Sequence, residues 1–255
     1  MIDSHTHLFL CQRPEAELLA SAREAGVERM LNVGLGGDSN LVAIAGAERN
    51  EVVFATVGRH PTEAAGFDQA AAAEIARLAR HEKVRAIGET GLDYYRESAS
   101  RDEQRRAFAA QTEIAIDLDL PIVIHARDSD GSSEAIEEVF ATLDARAPGH
   151  PVILHCFSAP QLAGEAADRG WRCSFAGNAT YPSSDDLRAA AAALPEELIL
   201  VETDAPYLTP QEMRGESNEP ANVVATARAL AEVRGVSYGE LEETVEGNAR
   251  AVFGW

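Results

Sequence analysis

Eight short apolar runs recur along the chain, at residues 1–5, 29–34, 52–58, 84–89, 122–125, 152–155, 171–177 and 198–202. Their apolar residues are consecutive and often β-branched, the pattern of strands buried on both faces of a parallel sheet. Helix-like segments separate most of them, at residues 15–24, 41–48, 69–80, 102–117, 133–143 and 185–194. A last helical pair at residues 222–234 and 238–253 would cover strand eight. This alternation predicts an α/β fold, a closed (β/α)8 TIM barrel. An open doubly wound sheet shares the alternation, because a sequence does not show closure. Barrels of about 250 residues are single domains, so the 255 residues are expected to form one domain, 1–255.

Residues able to bind metal sit where these runs end, and in a parallel barrel the strand ends converge on one face. His5 and His7 leave the first run at i, i+2 spacing, which in extended chain aims both imidazoles to one side. Glu89 ends KVRAIGE. A lone buried charge is costly, so it must pair with an arginine or bind a cation, and its two oxygens could bridge two cations. His125 follows PIVI and His155 follows PVIL, the same point of two consecutive runs. Asp204 ends LILVETD, where a carboxylate could bind metal and take a proton from water; Glu202, two residues earlier, shares its side and would support it.

Mixed imidazole and carboxylate ligands suit zinc, manganese, iron or, more weakly, magnesium. Two such ions about 4 Å apart would lower the pKa of a bridging water and stabilise the attacking and leaving oxygens. A metal-dependent hydrolase is the expected enzyme class.

Other residues near the strand ends are candidates for substrate. Arg127, two after His125, could fork onto a phosphate or carboxylate, or form a salt bridge with Asp128, Asp93 or Glu202. His60 follows the third run and either hydrogen-bonds substrate or holds its own loop. Tyr94, Tyr95 and Tyr207 could stack on bases or wall the pocket, and the segments 90–101 and 205–220 are long enough to define access to it. Gly34, Gly36 and Gly37 lack the GxGxxG and P-loop spacings and read as a tight turn.

Charge cuts against a polyanionic substrate. The 42 acidic residues outnumber the 22 basic ones, for a net charge of −20, and such a field repels nucleic acid unless metals and a few arginines reverse it locally. The three cysteines, Cys11, Cys156 and Cys173, form no CxxC pair, which fits a reducing cytoplasm. The first residues lack a basic, apolar leader and no run of about 18 apolar residues occurs, so no membrane association is expected.

The motifs DSHTHL (3–8), GRHP (58–61), GETGLDYY (88–95), HARD (125–128), HCFS (155–158), SFAGNATY (174–181), ETDAPYL (202–208), RGESNEP (214–220) and GNARAVFG (247–254) occur in that order. With them the chain resembles the TatD-like metal-dependent deoxyribonucleases, a branch of the amidohydrolase-like barrels. The resemblance implies two divalent ions, magnesium, manganese or zinc. One would be held by His5, His7, Glu89 and Asp204 and the other by Glu89, His125 and His155. It implies hydrolysis of DNA phosphodiesters, with single-stranded DNA cut 3′ to 5′, by catalytic Asp204, Glu89, Arg127 and Glu202. His60, Arg127, Arg214, Asn218 and Tyr95 would bind substrate, in a monomer or weak oligomer. An amidase or esterase on a small molecule or an aminoacyl-tRNA ester is the alternative on the same barrel. Two departures stand out: Ala159 where HCFSG ends in glycine, and Glu216-Ser217 where a basic residue is usual. The second bears on DNA binding more than on catalysis.

Overall fold

The computed structural model describes residues 1–96 and 98–255. Eight strands form one sheet in sequence order: β1 (Ile2–Thr6), β2 (Arg29–Val33), β3 (Val53–Val57), β4 (Val84–Asp93), β5 (Ile122–Arg127), β6 (Val152–Leu154), β7 (Arg172–Phe175) and β8 (Ile199–Val201). Every neighbouring pair is parallel. The helices are α1 (Glu15–Glu24), α2 (Asp38–Arg49), α3 (Gln69–Leu78), α4 (Arg101–Leu118), α5 (Glu134–Arg146), α6 (Ala163–Asp168), α7 (Asp185–Ala193), α8 (Val223–Arg234) and α9 (Tyr238–Phe253). They alternate with the strands, and α8 and α9 follow β8, as in a (β/α)8 TIM barrel.

Closure is carried by polar contacts at the seam between β1 and the segment after β8. Ser4 Oγ donates to the Val201 carbonyl at 2.9 Å, Asp204 N to His5 O at 2.9 Å and His7 N to Ala205 O at 2.8 Å. The fully buried Asp3 carboxylate accepts from Thr203 N at 2.9 Å and Thr203 Oγ at 2.6 Å. These bonds put Asp204 beside His5 and His7, from the opposite end of the barrel's strand order.

Two expectations are corrected. The fourth strand does not stop at Glu89 but runs to Asp93, so residues 90–93 belong to the sheet. The close approach that lets it continue needs glycine: a Cβ on Gly91, at φ +137, would lie 2.1 Å from the His125 carbonyl oxygen. The short helix α6, only six residues long, was not anticipated. Elsewhere the ends move by a few residues, as helix and strand termini do. No helix among the described residues is long and apolar enough to cross a membrane.

Candidate metal centre

The carboxyl ends of the strands form one mouth, and Glu89 stands at its centre. On one side Glu89 Oε2 lies 3.4 Å from His5 Nε2 and 3.8 Å from His7 Nε2, and Asp204 Oδ1 lies 3.5 Å from His7 Nε2 and 4.0 Å from His5 Nε2. On the other, Glu89 Oε1 lies 2.7 Å from His125 Nδ1 and 3.1 Å from His155 Nε2. The six strand-end residues read from the sequence are thus brought together, and the two oxygens of one carboxylate face two different sets of nitrogens.

Hydrogen bonds behind the rings decide which nitrogens are free to bind a cation. A carbonyl or carboxylate only accepts, so a ring nitrogen facing one carries a proton, and the nitrogen on the far side of the ring is the one a cation would take. His7 Nδ1 donates to the Val33 carbonyl at 2.8 Å, and His155 Nδ1 donates to Glu202 Oε1 at 2.8 Å. His125 Nε2 faces Asp93 Oδ2 at 3.2 Å. In each case the other nitrogen points at Glu89, where a cation would take the place of the proton that a ring lying between two acceptors holds without it. His5 is fully buried and, among the described residues, neither of its nitrogens has a hydrogen-bond partner. Leaving such groups unmet costs on the order of 1–3 kcal/mol each, and a cation beside Glu89 Oε2 would satisfy Nε2. The donor set therefore fits divalent metal.

Electrostatics agree with this crowding. Burial pushes the Glu89 carboxyl up, but His155 and His60 beside it and the bonds from His125 and His155 outweigh it and hold it well below the usual range. Burial lowers His155, yet Glu202 and Glu89 together raise it well above an ordinary imidazole. His5, buried and next to His155, is lowered to about 3. A ring held neutral in this way is ready to ligate.

His60 approaches from β3, with Nε2 3.5 Å from Glu89 Oε1. Its Nδ1 accepts from the Thr62 backbone N–H at 3.1 Å. A backbone N–H cannot accept, so the proton of neutral His60 sits on Nε2 and faces the centre. Burial and His125 lower its pKa, favouring that neutral form. Such a ring offers a donor to an incoming oxygen and has no lone pair there for metal.

The cavity over this centre holds about 940 Å³, near the top of the range for ligand pockets. Arg127 lines it, with its guanidinium 4.1 Å from the Tyr95 ring. The carboxylates that could have paired with Arg127 are engaged elsewhere: Asp128 caps the start of α5, Asp93 faces His125 and Glu202 holds His155. Tyr207 is half exposed in the cavity wall.

Other candidates land differently. Glu202, expected among the catalytic groups, stands fully buried behind His155 and also accepts from Cys156 N at 2.8 Å, so its contact with the centre is through that ring. Asn218, expected on substrate, is 1% exposed and spends its amide donors on Thr203 O and Tyr207 O. Its oxygen accepts from Glu219 N and Asn222, so it ties the 205–220 loop to the seam instead of reaching the cavity. Arg214 is exposed and rests on Tyr181 at 4.4 Å, and neither it nor Tyr95 is part of the cavity wall. Tyr94 is buried, its hydroxyl bonded to Glu138 at 2.7 Å, and offers no stacking face.

Sequence reasoning assigned no role at the centre to Asp93. The signal was strand parity: Glu89, Gly91 and Asp93 recur at i, i+2 and i+4, legible once the strand is taken past Glu89. Gln111 of α4 was also missed; fully buried, it bonds Thr90 Oγ and both backbone groups of Arg59. Helical spacing gives no hint of that role.

Comparison with known proteins gives the same answer as the geometry. The TatD related DNase family matches residues 2–254. An uncharacterized metal-dependent hydrolase TatD from Mycobacterium tuberculosis is 38% identical over 264 residues, covering 100% of this chain and 98% of its own. The 3′-5′ ssDNA/RNA exonuclease TatD of Cronobacter sakazakii is 35% identical over 243 residues, covering 93% and 90%. The crystal structure of YjjV, a TatD homolog from Escherichia coli, superposes with a TM-score of 0.90 at 25% identity, over 100% of this chain and 98% of that one. With an end-to-end family match and a buried imidazole–carboxylate centre at the barrel mouth, the chain belongs to the TatD family of metal-dependent hydrolases.

Proposed function

We propose that this enzyme hydrolyses phosphodiester bonds at the 3′ end of single-stranded DNA, using two divalent cations that share Glu89. The observation that carries the reading is the division of Glu89, with Oε2 toward His5 and His7 and Oε1 toward His125 and His155. His5, His7 and Asp204 would hold one cation, and His125 and His155 the other, with magnesium, manganese or zinc compatible with such ligands. The cations would supply a water acidic enough to attack at neutral pH and neutralise charge on the phosphate.

The chain's own residues do the rest. Asp204, at the edge of the cavity, accepts the proton of the attacking water. His60 donates from Nε2 to a non-bridging phosphate oxygen, and Arg127 places a positive charge on the same group. Glu202 and Asp93 fix the rings of His155 and His125. The exonuclease named in Cronobacter sakazakii supports nucleic acid as substrate; the charge of −20 is why amides and esters belong in the test.

The test compares 3′-labelled single-stranded DNA with a panel of amides and carboxylic esters, for the metal-loaded enzyme and for Asp204→Ala and Glu89→Ala. Metal-dependent shortening from the 3′ end that both variants abolish is expected. Faster turnover of an amide or ester than of DNA would assign the centre to carbon chemistry.

A further inference from the structure

Two further arginines that the cleavage chemistry leaves unused line the cavity, the exposed Arg96 and the half-buried Arg59, and only Arg59 is braced from behind. Arg59 lines it, one residue before His60, and its backbone is held in place by Gln111. Its side chain is poorly satisfied. Among the described residues Nε is buried with no hydrogen-bond partner, and the one bond the guanidinium makes, to Glu63 O, is 3.4 Å long. Asp38 and Glu63 share the wall, yet among the described residues neither carboxylate comes within ion-pair distance of Arg59. The site has been left room: a Cβ on Gly36 would lie 2.8 Å from Arg59 Cδ, so glycine is required for the arginine to lie where it does.

An arginine with most of its donors free at the edge of a reaction cavity is built to receive an oxyanion. Arg59 lines the same cavity as His60 and makes no ion pair with Glu89, and at a 3′ end the one phosphate beside the scissile one is the phosphate 5′ to it. We propose that Arg59 binds the phosphate immediately 5′ to the scissile one, and that the enzyme is therefore selective for substrates carrying a second phosphate next to the bond it cuts. This rests on the phosphodiesterase reading above. It also answers the charge problem: in a chain of net charge −20, affinity for nucleic acid comes from arginines inside the cavity and not from the surface.

The test uses two dinucleotides with the same scissile bond, thymidylyl-thymidine with a 5′-phosphate (pTpT) and without one (TpT). For the metal-loaded enzyme, kcat/KM on pTpT should exceed that on TpT by at least tenfold, mostly through KM. In Arg59→Met the value for pTpT should fall at least tenfold further than the value for TpT, so the preference collapses, and Arg59→Lys should recover part of it. Residual turnover of TpT by the same variant reports that the centre is still folded. An undiminished preference in Arg59→Met, or an equal loss on both dinucleotides, overturns the assignment of Arg59. Turnover of neither dinucleotide by the unaltered enzyme overturns the phosphodiesterase reading, and this subsite with it.

Discussion

Glu202 offers a sharp way to perturb the centre without touching a ligand. Its Oε1 accepts from His155 Nδ1 and from Cys156 N, each at 2.8 Å, and among the described residues its Oε2 has no partner. Glutamine in its place can keep both accepted bonds through the amide oxygen and put its NH2 where the unpartnered oxygen stands. The substitution therefore removes charge and preserves shape. Groups that orient a ligating histidine contribute about 10- to 100-fold in metal affinity, or about 1.4–2.8 kcal/mol, and Glu202→Gln should weaken metal binding by that amount. Its pH dependence carries a second signature. In the metal-free protein the His155 pKa is raised because Glu202 and Glu89 outweigh burial, so a proton competes with metal and affinity falls as pH drops through that raised value. Without the Glu202 charge the proton is held less tightly, and the fall should begin at lower pH. Calorimetric titration with manganese at several pH values, beside thermal melts of the metal-free proteins, measures both. Unchanged affinity and an unchanged pH profile in a folded Glu202→Gln protein would refute the claim that this carboxylate tunes His155.

Three further perturbations probe the scaffold and its field. Gly91→Ala forces a Cβ to 2.1 Å from the His125 carbonyl oxygen at φ +137; a cost of at least about 2–3 kcal/mol should lower the melting temperature by roughly 5–10 °C, and a melt within 2 °C of the parent would count against it. Asn218→Leu strips donors from the Thr203 and Tyr207 carbonyls, at about 1–3 kcal/mol for each group left unmet. Limited proteolysis should then cut within residues 205–220 faster than in the parent, and equal cutting would show that the loop is held by other means. Because the net charge is −20 and the Debye length shrinks from about 30 Å at 0.01 M salt to about 10 Å at 0.1 M, turnover of long single-stranded DNA should rise over that range. A fall with added salt, as for a basic nuclease, would place the binding surface outside the cavity.

The strands were legible because their interiors are apolar on both faces, so that PIVI and PVIL could hardly be read otherwise. Closure was not, since it rests on single contacts such as Asp3 to Thr203 that have no periodicity to betray them. The fourth strand was cut short because Gly88 and Gly91 carry weak strand propensity; the sheet continues there because β4 pairs with β5 through Asp93 and Arg127. That one misplaced end hid Asp93. Among the substrate candidates, residue type was informative and location was not. Tyr94 and Tyr95 are adjacent, yet one packs under Arg101 and the other faces out under Arg127, and Asn218 looks like a surface amide until its four bonds are counted.

The central claim is that one carboxylate joins two cation sites. An anomalous difference map from crystals grown with manganese tests it directly. Two peaks are predicted on either side of Glu89, one against His5, His7 and Asp204 and the other against His125 and His155. A single peak, or a peak ligated by His60 in place of His155, would contradict it.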